Sequence, residues 1–352
     1  MPRSIQEILD HAEQFSDLFE DHDPNPDNFG EGESLRALSK AVQARAETEK
    51  QMVDVVSDAR AEGHSWSAIG GILGTTGEAA RQRYKDSDVM AVVSTLPIKR
   101  MEKAGWIDSG TDRRALAKMV RVMCPPGSNW IRAAARRSND GSEAFTPEQV
   151  AWLLRARQLA SEEQVPAAFD SHEARKLAES IVHLSVSEDE TSELKQRLAE
   201  VGVRLVVVPQ LPGSKIDGAA FWLDDESPVL ALTLRFNRID YLWFTLLHEL
   251  AHIVCGHGNP ETPMLDDEMS VESENEAEAN RLAASWAMAN HSGPLPGQLS
   301  GVVRLASELG IAPGIIVGRL HHLHATTGNG LPYSKHRNLL VPVNHVLVTD
   351  RS

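Results

Sequence analysis

The run F-T-L-L-H-E-L-A-H-I-V-C-G-H from Phe244 to His257 constrains this chain more than any other stretch. It sets two histidines and a glutamate inside an otherwise apolar helix, where polar side chains cost free energy unless partners satisfy them. At about 3.6 residues per helical turn, His248 and His252 are i and i+4, so both imidazoles leave one face a turn apart. One metal ion can take both. Glu249 points aside from that pair yet can reach a water beside the ion, which suits a general base better than a ligand. The pattern is H-E-x-x-H. Leu246, Leu247, Leu250, Ala251, Ile253 and Val254 make the helix a core element, so a metal is the natural partner for its imidazoles.

A third ligand is expected from the segment E-A-E-A-N-R-L-A-A-S-W-A-M, Glu276 to Met288. Ala279, Leu282, Ala283, Trp286 and Ala287 form an apolar stripe at helical spacing, and Glu276 lies one turn before Ala279 on that side. Glu276 is therefore favoured as the ligand. Glu278 is its competitor, but it sits about 200° around the helix, toward solvent. Asn280, one turn past Glu276, is a candidate to orient a ligating histidine through a hydrogen bond.

These two helices, with the lead-in G-V-R-L-V-V-V-P-Q-L-P-G-S-K-I-D-G-A-A-F-W-L and the segment P-G-I-I-V-G-R-L-H-H at Pro313 to His322, resemble the ImmA/IrrE family of zinc metallopeptidase domains. The resemblance spans the last half of the chain, and residues 96–170 more loosely. It implies a gluzincin-like zinc site with His248, His252 and Glu276 as ligands and Glu249 as base, directed at a repressor or antitoxin. Proteins of this kind carry a helix-turn-helix module ahead of the peptidase domain.

Such a module has its own signature here. In H-S-W-S-A-I-G-G-I-L-G-T-T-G-E-A-A-R-Q-R-Y-K, Trp66, Ile69 and Leu73 make a short helix, Gly74 permits a sharp turn, and Thr75 or Thr76 can cap a second helix. Small Gly70 leaves room for that helix to cross, with Ala79 and Ala80 packing inward. Thr76, Glu78, Arg81, Gln82 and Arg83 would then face bases or phosphates. The net charge of −15 opposes general coating of nucleic acid, but thirteen basic against five acidic residues between Arg81 and Arg137 give a local positive field.

The fold expected is α+β and mostly helical, with a small antiparallel sheet beside the H-E-x-x-H helix in a zincin-like C-terminal domain. Strands are expected at Val203–Val208, Ala219–Leu223 and Pro228–Leu234, and a strand-like tail at Val343–Thr349. The domain plan is an N-terminal helix and acidic linker over 1–34, a helix-turn-helix domain over 35–90, a helical connector over 91–170 and the metallopeptidase-like domain over 171–352. Thr146 and Pro147 mark a capped helix start in the connector. The acidic stretch between the two metal helices, with Asp266, Asp267 and Glu268, is expected to be a loop over the cleft. An oxyanion helper is left open among Tyr333, His336, His257 and Arg281.

Two cysteines, Cys124 and Cys255, make no disulfide framework, and neither a signal segment nor a membrane span is visible, so a cytoplasmic protein is expected. Its expected partners are Zn2+, DNA and a protein substrate, and a homodimer is compatible with the sequence. Two activities follow. One is a zinc metalloendopeptidase that a DNA-binding module brings to a regulatory protein. The other is a non-catalytic DNA-binding regulator or antitoxin that uses the zinc domain as sensor or scaffold.

Overall fold

The computed structural model describes residues 33–61, 63–84, 87–123, 145–258, 264–267 and 273–347. The expected N-terminal helix, Lys85, Arg132, Arg136 and Arg137 of the basic region, and Glu268 of the acidic stretch lie outside them. The chain divides into two compact units, one of residues 1–95 and 131–144, the other of 96–130 and 145–352.

The first unit contains four described helices: α1 (Glu33–Ala61), α2 (Trp66–Ile72), α3 (Gly77–Tyr84) and α4 (Ser87–Thr95). Ser65 caps α2 by accepting from the Ala68 amide at 3.1 Å, and Thr76 caps α3 by accepting from Ala79 at 3.1 Å. Between them Gly74 takes φ +66°, the left-handed turn expected of it. α2 and α3 cross backbone against backbone. A methyl on Gly70 would lie 2.7 Å from the Gly77 nitrogen, and one on Gly77 would lie 2.8 Å from Ser67 Cα. Val56, Ile69, Ala80 and Tyr84 form the core of this unit. Ala80 is buried as expected, but Ala79 is exposed: a two-turn helix presents one narrow stripe to its partners, and Ala80 and Tyr84 fill it.

The second unit is α+β. It runs through α5 (Ile98–Lys103), α6 (Arg113–Met123), α7 (Pro147–Glu162), α8 (Ser171–Ser180), a 3-10 turn (Ile181–Val186), α9 (Glu188–Ser192) and α10 (Leu194–Glu200). Then come β1 (Arg204–Val207), β2 (Ile216–Trp222), β3 (Pro228–Leu232), α11 (Ile239–Cys255), β4 (Met264–Asp267), α12 (Glu274–Ala287), α13 (Leu299–Leu309), α14 (Pro313–Thr327) and α15 (Asn344–Leu347). Thr146 closes a reciprocal capping box with Gln149 at the start of α7.

The sheet order is β1-β3-β2-β4. β2 pairs antiparallel with β3 and β4, whereas β1 pairs parallel with β3, so the sheet is mixed rather than wholly antiparallel. The eight-residue link Val208–Lys215, pinned by buried Leu211 and Ser214, explains this. It is long enough to carry the chain past β3, so consecutive β1 and β2 are not neighbours. Both sheet faces are covered. α11 packs on one, with Ala220, Trp222, Leu230 and Leu232 in its core. On the other, α7 sends Trp152 Nε1 to the Val208 carbonyl at 3.3 Å and Arg157 to the Trp222 carbonyl at 2.8 Å. A strand buried on both sides reads as an unbroken apolar run, which is why P-V-L-A-L shows no alternation.

Two segments depart from the expected pattern. Met264–Asp267 is a strand on the edge of β2, so Asp266 and Asp267 belong to the sheet backbone and not to a loop. The tail is not a strand where it is described. Val343 donates its amide to Asn237 Oδ1 at 2.8 Å, the Val341 carbonyl accepts from Ile239, and a helical turn follows at Asn344–Leu347. Those backbone groups are satisfied by the start of α11, which leaves no role for a β partner.

α11 is the central element, packed by the sheet, α8, α12 and α14. Its Leu247 is fully buried in the main core. Leu247→Ala is expected to destabilise the chelator-treated protein by about 2–5 kcal/mol in denaturant unfolding. Chelation removes any contribution of bound metal from the comparison.

Candidate metal centre

Three side chains converge where α11 meets α12. His248 and His252 are 2% and 1% exposed, and their Nε2 atoms face each other at 3.0 Å. Glu276 closes the triangle, with Oε2 3.2 Å from His248 Nε2 and Oε1 3.4 Å from His252 Nε2. α12 begins at Glu274, two residues before the expected start, and Ser273 caps it by accepting from the Glu276 amide at 3.2 Å. That cap fixes Glu276 in the first helical turn, where the helix dipole favours a carboxylate.

The donor set fits zinc. Bond lengths of about 2.0–2.1 Å to imidazole nitrogen and carboxylate oxygen put tetrahedral ligand atoms about 3.3 Å apart, close to the edges found here. The group is also in the right protonation state. Burial pushes the Glu276 carboxyl up, but hydrogen bonds and charge from His248 and His252 outweigh it and hold the group at about 2. Burial lowers the His252 pKa below the usual histidine value, against the raising effect of Glu276. A neutral imidazole and an ionised carboxylate are what a cation requires.

Glu249 is 0% exposed and lies beneath β2. A methyl on Gly218 would come within 2.6 Å of Glu249 Oε1 and 2.8 Å of Thr245 Cγ2, so only glycine lets the strand pass this close to the carboxylate. Sequence reading missed Gly218, because nothing local signals which strand residue overlies the helix.

A second link was also missed. His257 Nδ1 lies 3.1 Å from His252 Nδ1, and its Nε2 lies 3.1 Å from Glu278 Oε2. Glu278 is thus half-exposed rather than simply turned to solvent. Asn280, the expected orienter, is exposed on α12, while the His252 ring nitrogen that faces away from the triangle lies against His257. Of the oxyanion candidates, the Tyr333 hydroxyl accepts from Arg238 at 2.9 Å and the His336 ring pairs with the Gly297 carbonyl at 3.1 Å, so both engage partners outside the triangle. Arg281 is exposed.

A cavity of about 390 Å3 lies along α11, α12 and α14, lined by Phe244, Ala284, Met288, Ile315, His321 and Tyr333 among others. The Phe244 ring stacks on His248 at 6.2 Å between centroids, joining the cavity wall to the triangle.

In the first unit, Thr76, Glu78, Arg81, Gln82 and Arg83 are all exposed along α3 and the turn before it. Arg81 makes two hydrogen bonds to Glu78, at 2.7 and 2.8 Å, Gln82 joins it at 3.3 Å, and Arg83 lies over the Tyr84 ring at 5.3 Å.

Residues 202–294 match the Peptidase_M78 family model, described as the IrrE N-terminal-like domain. The match takes in β1 to β4, α11 and α12, and so the whole triangle with Glu249 and Gly218. It points to a function of zinc metallopeptidase type for this IrrE-like segment. No curated protein and no solved structure matches the chain. Among the described residues no helix is long and apolar enough to cross a membrane.

The charge states predict how zinc binding responds to pH. His252 is held neutral and Glu276 ionised, so affinity measured by chelator competition should stay level from about pH 8 to the ordinary histidine value of about 6.5. Below it, affinity should fall as protons compete for the imidazoles. A tenfold fall already between about pH 8 and 7 would contradict a neutral His252.

Proposed function

We propose that the second unit is a zinc-dependent metalloendopeptidase that cleaves a regulatory protein, a repressor or antitoxin, and that α2 and α3 form a DNA-binding module that brings it to its target. The observation that carries the hydrolytic reading is the triangle of His248, His252 and Glu276 with edges of 3.0–3.4 Å, beside the buried carboxylate of Glu249. His248, His252 and Glu276 would hold the ion. Zinc, when bound, supplies Lewis acidity to a peptide carbonyl and makes a nearby water acidic enough to lose a proton at neutral pH. Glu249 takes that proton and returns it to the departing amine, as a general base and then a general acid.

Gly218 supports this role by letting Glu249 lie directly against the sheet, where its carboxylate is held out of bulk water. The cavity beside Phe244, lined also by Ala284, Met288 and Ile315, would receive an apolar substrate side chain. β4 ends the sheet next to β2 and offers a backbone edge to an extended peptide, a pairing that recognises main chain more than side chains.

The DNA-binding reading rests on the exposed face of α3. Arg81, Gln82 and Arg83 stand outward together, while Gly70 and Gly77 give the tight crossing that presents them. If that face binds an operator and no cleavage is found, the non-catalytic regulator is the better description of the chain.

Glu249→Gln is expected to keep zinc at one equivalent yet abolish cleavage of the repressor or antitoxin encoded beside this gene, followed as loss of a discrete chelator-sensitive fragment on a gel. Full cleavage by that variant would remove the mechanism. For the first unit, replacing Arg81 and Arg83 with alanine should weaken binding to the DNA upstream of the gene and reduce the salt slope by about 2. Unchanged affinity in fluorescence anisotropy would count against the α3 face.

A further inference from the structure

We infer that His257 and Glu278 are positioning residues that lock the imidazole of His252 in the one tautomer able to bind the ion. This rests on the metal site proposed above, and it deepens that reading by assigning two residues outside the ligand triangle.

The argument follows the protons. His252 directs Nε2 into the triangle, 3.0 Å from His248 Nε2 and 3.4 Å from Glu276. A cation there needs the Nε2 lone pair, so the proton of the neutral ring must sit on Nδ1. That Nδ1 lies 3.1 Å from His257 Nδ1. Two ring nitrogens at this distance must be one donor and one acceptor, so His257 Nδ1 is unprotonated and its own proton is on Nε2. Nε2 in turn lies 3.1 Å from Glu278 Oε2, and an ionised carboxylate can only accept. Each step forces the next. The reversed arrangement would put a proton on His252 Nε2, aimed at the ion, and set the His257 Nε2 lone pair against the Glu278 carboxylate. Glu276 Oε1, 3.4 Å from His252 Nε2, can accept in that reversed form, so the Glu278 end of the chain is what opposes it and favours the metal-ready form.

The backbone is built to bring His257 there. Had α11 continued, residue 257 would project about 140° around the helix from residue 252. Gly256 instead takes φ +70°, ends α11, and turns the chain so that the His257 amide donates to the His252 carbonyl at 3.0 Å. Glu278 comes from α12, two residues beyond Glu276, so one helix supplies both a ligand and the end of the proton chain.

Cys255, His257 and Glu278 also have ligand atoms within 4.8 Å of one another, a set that could hold a second ion. The proton chain argues against it. An ion on His257 Nε2 would move that ring's proton to Nδ1 and push the His252 proton onto Nε2, which disables the first site. Arg175 also directs a guanidinium nitrogen at Cys255 Sγ, at 3.5 Å, where it opposes a second cation. One ion per chain is the consequence.

Two measurements on the full chain test this. In the metal-free protein Glu276 on one side and the His257–Glu278 chain on the other compete for the single His252 ring proton. Nitrogen-15 imidazole spectra should show the Nδ1–H tautomer as the major form in wild type and its loss in favour of Nε2–H in His257→Phe. Zinc affinity by chelator competition should fall about 10- to 100-fold in His257→Phe and in Glu278→Leu. Glu278→Gln, whose carbonyl still accepts from His257, should recover most of it. The cobalt-loaded protein should show a shifted visible spectrum in the first two variants and a near wild-type one in the third. A wild-type His252 found as Nε2–H, or both affinity and cobalt spectrum unchanged in His257→Phe, overturns the inference. Two zinc ions per wild-type chain, falling to one in His257→Phe, also overturns it in favour of a second metal site. A wild-type chain with the Nδ1–H tautomer but no zinc binding sinks the metal reading while leaving the proton chain standing.

Discussion

The structure turns on burying two imidazoles and two carboxylates around one helix that is enclosed by the sheet, α8, α12 and α14. Each such group, taken out of water without partners, costs several kcal/mol. Much of the surrounding sequence answers that cost. Ser273 fixes the turn that carries Glu276, Gly218 makes room for Glu249, and Gly256 turns His257 back onto His252. None of these three is itself a candidate ligand. At Gly218 the Glu249 carboxylate and the Thr245 methyl both crowd the strand, and the pairing with β4 slips in register between Ile216 and Gly218.

What could be read from the chain beforehand follows from the range of the interactions involved. The His248–His252 pair and the apolar stripe leading to Glu276 are properties of single helices, and i to i+4 geometry carries them without tertiary knowledge. The cap at Thr146 and the turn at Gly74 are equally local. The parallel pairing of β1 with β3 is not, because a strand's neighbour is chosen by the link that reaches it and by what covers its faces. The same holds for β4. Its acidic sequence resembles a solvated loop, yet its backbone completes the open edge of β2. Gly218 and Glu278 escaped for this reason too. A helical wheel placed Glu278 correctly relative to Glu276, but a wheel says nothing of a residue arriving from the end of another helix.

The first unit obeys a smaller version of the same economy. α3 has eight residues, so its one buried stripe is used up by Ala80 and Tyr84, and every other side chain in its middle stands outward. With α2 and α3 in backbone contact at Gly70 and Gly77, the inward side chains are limited to Ile69 on α2 and Ala80 and Tyr84 on α3. The outward face is therefore polar by necessity as well as by composition. Glu78 holds Arg81 in a bidentate pair on that face, exposed enough for a phosphate to compete with it. Arg83 rests over the Tyr84 ring, a contact that leaves its charge in place.

Polarity of the helices completes the account of the second unit. His252 lies in the last turn of α11, where unsatisfied carbonyls give the helix end a partial negative charge, and Glu276 lies in the first turn of α12, where amides give a partial positive one. A cation between them is attracted by the first end, and the carboxylate that binds it is stabilised by the second. Both effects fade within a turn, so they act on His252 and Glu276 and leave His248, a turn further back, outside their reach. The end of α11 and the start of α12 meet at the triangle. The helix that supplies histidines ends at the site, and the helix that supplies the carboxylate begins there. Reversing either direction would set the field of that helix against the charge it has to hold.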